Sequence, residues 1–458
     1  MARQHFGTDG IRGVANQKLT PELCFQIGTA AGRLLCEQHS APKVLLGRDT
    51  RRSGAMLGAA LASGFCAAGV DAHSVGICPT GGISYLARTG DYALACVISA
   101  SHNPAPDNGV KLIAHDGRKV TDAFEESVEA LLEVPLAPRK VGSDVGLLET
   151  GRDEISRYRD YLLSLVPEGL SGLKVVVDGS DGAAYELGAD VIRSLGAEVI
   201  EIGNRPDGMN INRDSGATKP EAMQALTASE AAAIGVAFDG DADRAVFSDS
   251  HGRLINGDRT MAIWGRHHRA TLVPPSIVGT VMSNGGFEAY LQAQGIELHR
   301  VNVGDKYVSA KLAETNGRVG GEQSGHIIFP DRGPTGDGLI TALEILRVLK
   351  QSGLSAADFF DEFANWPQVL VNVSVASRDS FLADEKVQRA IADAEGRLAG
   401  QGRVNVRASG TQPMVRVMVE SHDVALRDSA VDSIVDAMVA NIGGSIYSKV
   451  DLTHALGD

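Results

Sequence analysis

Short apolar runs that read as buried strands alternate along this chain with longer stretches whose apolar positions recur at helical spacing. The first helix opens at Thr20-Pro21, a hydroxyl cap with proline at the first helical position, and reaches about Gln38. A strand at 44–46, a small-residue helix at 53–68, strands at 93–99 and 110–113 and a helix at 121–132 follow. Such alternation predicts an α/β domain. Periodicity lapses over 134–151, where Pro135, Pro138, Gly142, Gly146 and Gly151 gather, and this stretch is expected to be a linker. A second α/β pattern has helices at 153–165, 184–195 and 221–232 and strands at 174–177, 198–202 and 234–238, with a turn signal at 249–252. The third has strands at 276–279 and 298–301 and helices at 286–294, 306–315 and 339–351, and Trp366-Pro367 marks its end. The remainder reads as a smaller α+β domain, with strands at 369–375, 404–407 and 415–419 and helices at 384–398 and 424–441. The expected domains are therefore 1–151, 152–252, 253–366 and 367–458.

Composition adds exclusions. A net charge of −14 argues against a nucleic-acid binder, whose affinity comes mainly from neutralising phosphates. It leaves room for a small anionic substrate, because a local cluster of Arg and Lys can dominate one cleft. The five cysteines, Cys24, Cys36, Cys66, Cys78 and Cys96, form no C-x-x-C pair and read as free thiols in a reducing compartment. The N-terminal residues lack an apolar signal core, and no apolar run is long enough to span a bilayer. A soluble, cytoplasmic protein with no membrane partner is expected.

Chemistry concentrates in four places. Ile98-Ser99-Ala100-Ser101-His102-Asn103-Pro104 ends an apolar run with hydroxyl, imidazole and carboxamide groups and a proline that stops the strand. Asp239-Gly240-Asp241-Ala242-Asp243-Arg244 follows a second apolar run, and its alternate carboxylates suit a hard cation bound through oxygen. Extended, Asp239 and Asp243 would lie about 13 Å apart, so one ion requires the segment to curl. An EF-hand fails, because it needs Gly where Arg244 stands and Glu where Ser250 stands. Gly320-Gly321-Glu322-Gln323-Ser324-Gly325-His326 suits polyhydroxyl or amino-sugar recognition, although a polar hairpin turn explains it as well. Arg407-Ala408-Ser409-Gly410-Thr411-Gln412-Pro413, with Arg416 beyond, offers forked arginine contacts and hydroxyls to a phosphate. There is no Walker sequence, and Phe6-Gly7-Thr8-Asp9-Gly10-Ile11-Arg12-Gly13 lacks the G-x-G-x-x-G spacing of a dinucleotide site, leaving Arg12 as an anion ligand on a tight loop.

In this order, F-G-T-D-G-I-R-G, S-A-S-H-N-P with Asn108-Gly109-Val110-Lys111, D-G-D-x-D-R, G-E-Q-S-G-H and R-x-S-G-T-x-P resemble the α-D-phosphohexomutase superfamily over nearly the whole chain. The G-E-Q-S-G-H wording is similar to the glucosamine branch rather than the phosphoglucomutase/phosphomannomutase branch. The resemblance implies three similar mixed-sheet α/β domains and a smaller α+β, TATA-binding-protein-like domain around a central cleft. It implies that Ser101 carries a phosphoryl group, and that Ser101, Asp239, Asp241 and Asp243 hold one Mg²⁺. Glu322 and Ser324 would contact the sugar. Arg407, Ser409, Gly410, Thr411 and Arg416 would bind the non-reacting phosphate. Arg12, His102, Lys111 and Arg244 would surround the reacting one, with His102 and Lys111 the acid/base or electrostatic candidates. The implied reaction interconverts glucosamine 6-phosphate and glucosamine 1-phosphate through a 1,6-bisphosphate intermediate, feeding UDP-N-acetylglucosamine synthesis, and leaves a homodimer open. Departures are Ala242 for the usual glycine, Ala408 and Gln412 in the phosphate loop, and Asp178-Gly179-Ser180-Asp181-Gly182 for the usual D-x-A-N-G-A.

Charge supports the assignment. Phosphoserine with three aspartates brings roughly −5 into one pocket, and one divalent cation with Arg12, Lys111 and Arg244 offsets it by about +5. A Ser-His hydrolase is expected to fail, since adjacent residues on an extended chain point apart. A phosphosugar-binding protein without turnover is the alternative of another class, and it would need no nucleophile.

Overall fold

The computed structural model describes residues 5–7, 9–132, 134, 139–377, 379–409 and 413–453. Its strands form four sheets. The first has six strands in the order Ile11–Val14, Asp107–Ala114, Leu94–Ile98, Lys43–Arg48, Asp71–Ile77 and Leu148–Thr150. The second has the order Leu254–Ile255, Ala245–Ser248, Ile234–Phe238, Lys174–Asp178 and Glu198–Ile202. The third has Glu297–Val301, Ser276–Thr280, Gly320–Gly321 and Ile327–Ile328. The fourth is antiparallel throughout: Gly402–Ala408, Met414–Ser421, Gln368–Ser374 and Ser445–Asp451.

One topological place recurs in the first three sheets. Leu94–Ile98, Ile234–Phe238 and Gly320–Gly321 each run parallel to one neighbour and antiparallel to the next. The polar loops after them, at 99–106, 239–244 and 322–326, are thus equivalent turns of three related sheets. All three strands are buried, so the chain emerges from apolar packing directly into chemistry.

Local signals set the helix limits. Thr20 Oγ1 accepts the Leu23 N–H at 3.2 Å to start Pro21–Gln38. Asp337 Oδ1 accepts the Leu339 and Ile340 N–H groups, both at 3.0 Å, to start Gly338–Ser352. Asp423 opens Val424–Ile442, and Gly443 at φ 66° closes it in the left-handed conformation that glycine tolerates.

The sheets share cores unequally. A single apolar cluster runs from Tyr158 to Phe359 and fuses the second and third domains. The fourth has its own core, between its sheet and the helices Glu385–Leu398 and Val424–Ile442. It meets the third through a small cluster of Met282, Leu370, Met418 and Leu452.

Several elements differ from expectation. Within the stretch expected as a linker, Leu148–Thr150 pairs in parallel with Asp71–Ile77 at the edge of the first sheet. The turn at 249–252 joins Ala245–Ser248 to Leu254–Ile255, so the second sheet continues past 252. Helix Gly257–His267, absent from the expected elements, is nearly all buried, Asp258 and Arg259 included. Strand Ser445–Asp451 follows the helix expected to end the fold.

Candidate active site

The loop after Leu94–Ile98 is held from beneath. Ser101 adopts φ 50°, a left-handed conformation that costs an L-residue roughly 1–2 kcal/mol. Ser99 Oγ accepts the Ser101 N–H at 2.9 Å and donates to Asp49 Oδ2 at 2.5 Å. Arg51, fully buried, pairs with Asp49 Oδ2 at 2.8 Å and donates to the carbonyls of Ser101 (2.9 Å), Asn103 (2.7 Å), Pro104 (2.6 Å) and Asp107 (3.0 Å). Asn212 of the second domain adds bonds to the Ser101 and Asn103 carbonyls at 2.9 and 3.1 Å. This scaffold stabilises the strained turn.

The turn also overturns the expected divergence of serine and imidazole. Because Ser101 is not extended, its Oγ lies 3.3 Å from His102 Nδ1. On the other side it donates to Asp239 Oδ2 at 2.6 Å.

The aspartate segment curls as its spacing requires. One oxygen from each of Asp239, Asp241 and Asp243 lies within 4.8 Å of the others, and all three residues are buried. Ala242, at φ 57°, makes the bend. Gly240 lets the two loops meet, since a Cβ there would stand 2.5 Å from the Ser101 carbonyl. The Oδ1 atoms of Asp241 and Asp243 are buried without a hydrogen-bond partner. Hard oxygen donors, clustered and partly unsatisfied, fit a divalent cation.

Electrostatics separates Asp239 from Asp243. Burial, reinforced by Asp243 and Asp241, pushes Asp239 well above the usual carboxylate range. Burial acts the same way on Asp243, but Lys111 and then His326 outweigh it and hold this carboxyl well below that range. Lys111 Nζ touches Asp241 Oδ2 at 3.0 Å, Asp9 Oδ2 at 3.1 Å and Asp243 Oδ2 at 3.3 Å. Its burial opposes the charge, yet these carboxylates raise its pKa well above normal. Asp9 also pairs with Arg12.

The third loop closes over this centre. The Gly325 carbonyl accepts the Ala245 N–H at 3.1 Å, and Arg244 and His326 form a bridge between the second and third domains. His326 Nδ1 lies 3.6 Å from Asp243 Oδ1. Burial opposes protonation of His326, but Asp243 lifts its pKa to about 9. Glu322 Oε1 accepts the Gly304 N–H at 2.8 Å, and Ser324 Oγ lies 3.5 Å from Glu322 Oε2.

A cavity of about 290 Å³ lies between these loops. Arg12, Ser101, His102, Lys111, Asp243, Arg244 and Glu322 line it. Asp239 and Asp241 are buried behind two of these lining residues, bonded to Ser101 and Lys111 respectively, and Ser324 is also buried. Arg407, Ser409 and Arg416 are not among the described residues that line it. They sit on the hairpin of Gly402–Ala408 and Met414–Ser421, where Arg407 and Arg416 are directly opposite. Gly410 and Thr411 lie outside the described residues.

Sequence reading missed Arg51 and Asn212, which donate to backbone carbonyls distant along the chain, Asp49, which holds Arg51 and the Ser99 hydroxyl, and two charges, Asp9 and His326. The latter lay inside motifs already singled out. Their opposite signs leave the charge balance unchanged.

Four family models match the chain: phosphoglucomutase/phosphomannomutase alpha/beta/alpha domains I, II and III over residues 3–135, 156–252 and 256–365, and the C-terminal domain over 370–437. The phosphoglucosamine mutase of Desulforamulus reducens is 45% identical over 441 residues, covering 95% of this chain and 99% of that one. That of Geobacillus thermodenitrificans is 40% identical, covering 96% and 99%. A phosphoglucomutase/phosphomannomutase family protein of Burkholderia thailandensis superposes with a TM-score of 0.83 at 26% identity, covering 97% of this chain and 99% of that one. Four matched domains in this order, with such relatives over nearly the full length, establish that the chain belongs to the phosphoglucomutase/phosphomannomutase family and, within it, to the phosphoglucosamine mutases.

Proposed function

We propose that this isomerase interconverts glucosamine 6-phosphate and glucosamine 1-phosphate, with Ser101 as the phosphoryl carrier. The observation that carries the reading is the Ser101 hydroxyl itself. It faces a cation-lined cavity, 2.6 Å from one member of a buried aspartate trio.

In this reading the phosphorylated Ser101 donates its phosphoryl group to the C1 hydroxyl of glucosamine 6-phosphate. The bond from phosphorus to Ser101 Oγ breaks and a bond to the sugar O1 forms; the O1 proton passes to water while the departing Ser101 Oγ takes a proton from His102. The resulting glucosamine 1,6-bisphosphate turns over in the cleft, and its 6-phosphoryl group passes to Ser101 Oγ, releasing glucosamine 1-phosphate. In that second half His102, within 3.3 Å of Ser101 Oγ, takes the serine proton while the departing O6 gains one from water, and His102 returns its proton to Oγ in the next first half. Lys111 is a poor proton donor, because three carboxylates hold its charge. It acts electrostatically with Arg12 and Arg244, stabilising charge spread over the transferring oxygens.

Asp239, Asp241 and Asp243, with an oxygen on Ser101, would hold Mg²⁺, which supplies positive charge at the reacting phosphoryl group when bound. Glu322 and Ser324 would bind the sugar hydroxyls or amine. Arg407, Ser409, Gly410, Thr411 and Arg416 would hold the phosphate that is not reacting. The free thiols agree with a cytoplasmic enzyme. Among the described residues no helix is long and apolar enough to cross a membrane.

Turnover of glucosamine 6-phosphate, glucose 1-phosphate and mannose 1-phosphate tests the substrate assignment. The glucosamine phosphate is expected to have the highest kcat/KM. A higher value for either hexose phosphate would move the chain to the phosphoglucomutase/phosphomannomutase activity.

A further inference from the structure

We infer that Thr80 is a positioning residue for Asp241, fixing which of its carboxylate oxygens is offered to a cation. The inference rests on the reading of Asp239, Asp241 and Asp243 as a divalent-cation site.

Thr80 is the first residue of helix Thr80–Thr89, in the first domain, and is 4% exposed. It holds Asp241, in the second domain, at two points. The Thr80 N–H donates to the Asp241 carbonyl at 2.9 Å, and Thr80 Oγ1 donates to Asp241 Oδ2 at 2.8 Å. Backbone and carboxylate are therefore oriented by one residue. With Oδ2 occupied by Thr80 and Lys111, the buried Oδ1 alone is left without a partner. Asp239 differs, because Ser101 Oγ and the Arg244 N–H occupy its two oxygens.

The neutral hydroxyl does something Lys111 cannot. Lys111 is shared among Asp9, Asp241 and Asp243, and a phosphoryl group on Ser101 would compete for it. Thr80 carries no charge, so an arriving anion has little pull on it, and its bond to Asp241 persists through the cycle. The helix start has no slack either. A Cβ on Gly81 would stand 2.1 Å from Asp337 Oδ2, so Thr80 is wedged between the second and third domains.

Hydrogen-bond partners of metal ligands are worth about 10–100-fold in metal affinity. The test is calorimetric titration of the dephosphorylated full-length protein with Mg²⁺ and with Mn²⁺, using wild type, Thr80→Val, Thr80→Ala and Thr80→Ser. Valine and alanine are expected to raise the Kd by about 10–100-fold, and serine to keep the wild-type Kd. The metal concentration giving half-maximal turnover should shift with the Kd, while KM for the sugar phosphate at saturating metal stays unchanged. If valine disturbs packing and the variant fails to fold, alanine decides. Wild-type affinity in Thr80→Ala overturns the inference and leaves the metal site standing. So does loss of affinity in Thr80→Ser equal to that in Thr80→Ala, which would assign the effect to packing. A wild type that binds neither cation overturns the metal-site reading itself.

Discussion

Around Ser101, charges are locked to partners drawn from three domains. Asp49 is paired with Arg51, Lys111 lies among three carboxylates, and His326 faces Asp243. On the fourth-domain hairpin, Arg407 and Arg416 stand opposite one another with no carboxylate within ion-pair reach among the described residues. Arg416 Nε is buried and unpartnered, and burial followed by the Arg416 charge lowers the Arg407 pKa. Like charges directly opposite destabilise a sheet. The first region is organised before substrate arrives, so its groups need little rearrangement at the moment of reaction. The second holds charge with no carboxylate beside it, which in the proposed role an incoming phosphate would neutralise.

The contrast is broken most severely at Arg51. Arg51→Met leaves Asp49 a buried, unpaired charge and removes four side-chain hydrogen bonds to loop carbonyls. We expect a stability loss of about 3–5 kcal/mol. A fall in kcat on the order of 10²-fold should accompany it, because misplacing a reacting group by about 1 Å has that effect. Calorimetry and steady-state kinetics check both. Unchanged kcat in the folded variant would show that the loop does not depend on its scaffold.

The seam between the two regions responds to pH. Asp258 Oδ2 accepts the Asn284 N–H at 2.8 Å, at the end of the loop that Arg403 grips through the carbonyls of Val281 (2.7 Å) and Ser283 (2.6 Å). Burial raises the Asp258 pKa from 3.8 to about 6. The unfolded chain therefore loses this proton first. Its stabilising contribution is complete below about pH 4 and is lost as pH rises through about 6, a change of about 3 kcal/mol. Denaturant unfolding should show that decline between about pH 4 and 7 in wild type, and a shallower one in Asp258→Asn. Parallel pH profiles would mean that Asp258 does not carry the dependence.

The smallest effect sharpens the other side of the comparison. Arg416→Ala should raise KM by about 10–100-fold, the worth of a charged hydrogen bond. It should change kcat little and leave the melting temperature equal or higher, because a like-charge pair is removed. A lowered melting temperature with unchanged KM would make Arg416 structural.

Much of the site was legible because its groups lie in short runs at the ends of buried strands. The curl of the aspartate segment followed from ion size alone. The supporting layer was not legible. Arg51 acts on carbonyls about fifty positions away, and nothing local marks it. Nor does the sequence announce positive φ at Ser101 or Ala242, neither of which is glycine. Among the elements, buried apolar runs such as Leu94–Ile98 and Ile234–Phe238 were found, whereas short buried strands such as Ala245–Ser248 and exposed edge strands such as Leu148–Thr150 and Ser445–Asp451 were not. Helix Thr80–Thr89 was not expected; its Gly81 and Gly82 weaken the helical signal but serve close packing against Asp337, Cys78 and Tyr158.

The central claim is that Ser101 carries the phosphoryl group. Turnover with glucosamine 6-phosphate bearing a radiolabelled phosphoryl group, followed by peptide mapping, tests it most directly. The label should appear on the peptide containing Ser101 in wild type, and Ser101→Ala should show neither label nor mutase activity. Label on another side chain, or full turnover by Ser101→Ala, would contradict the account.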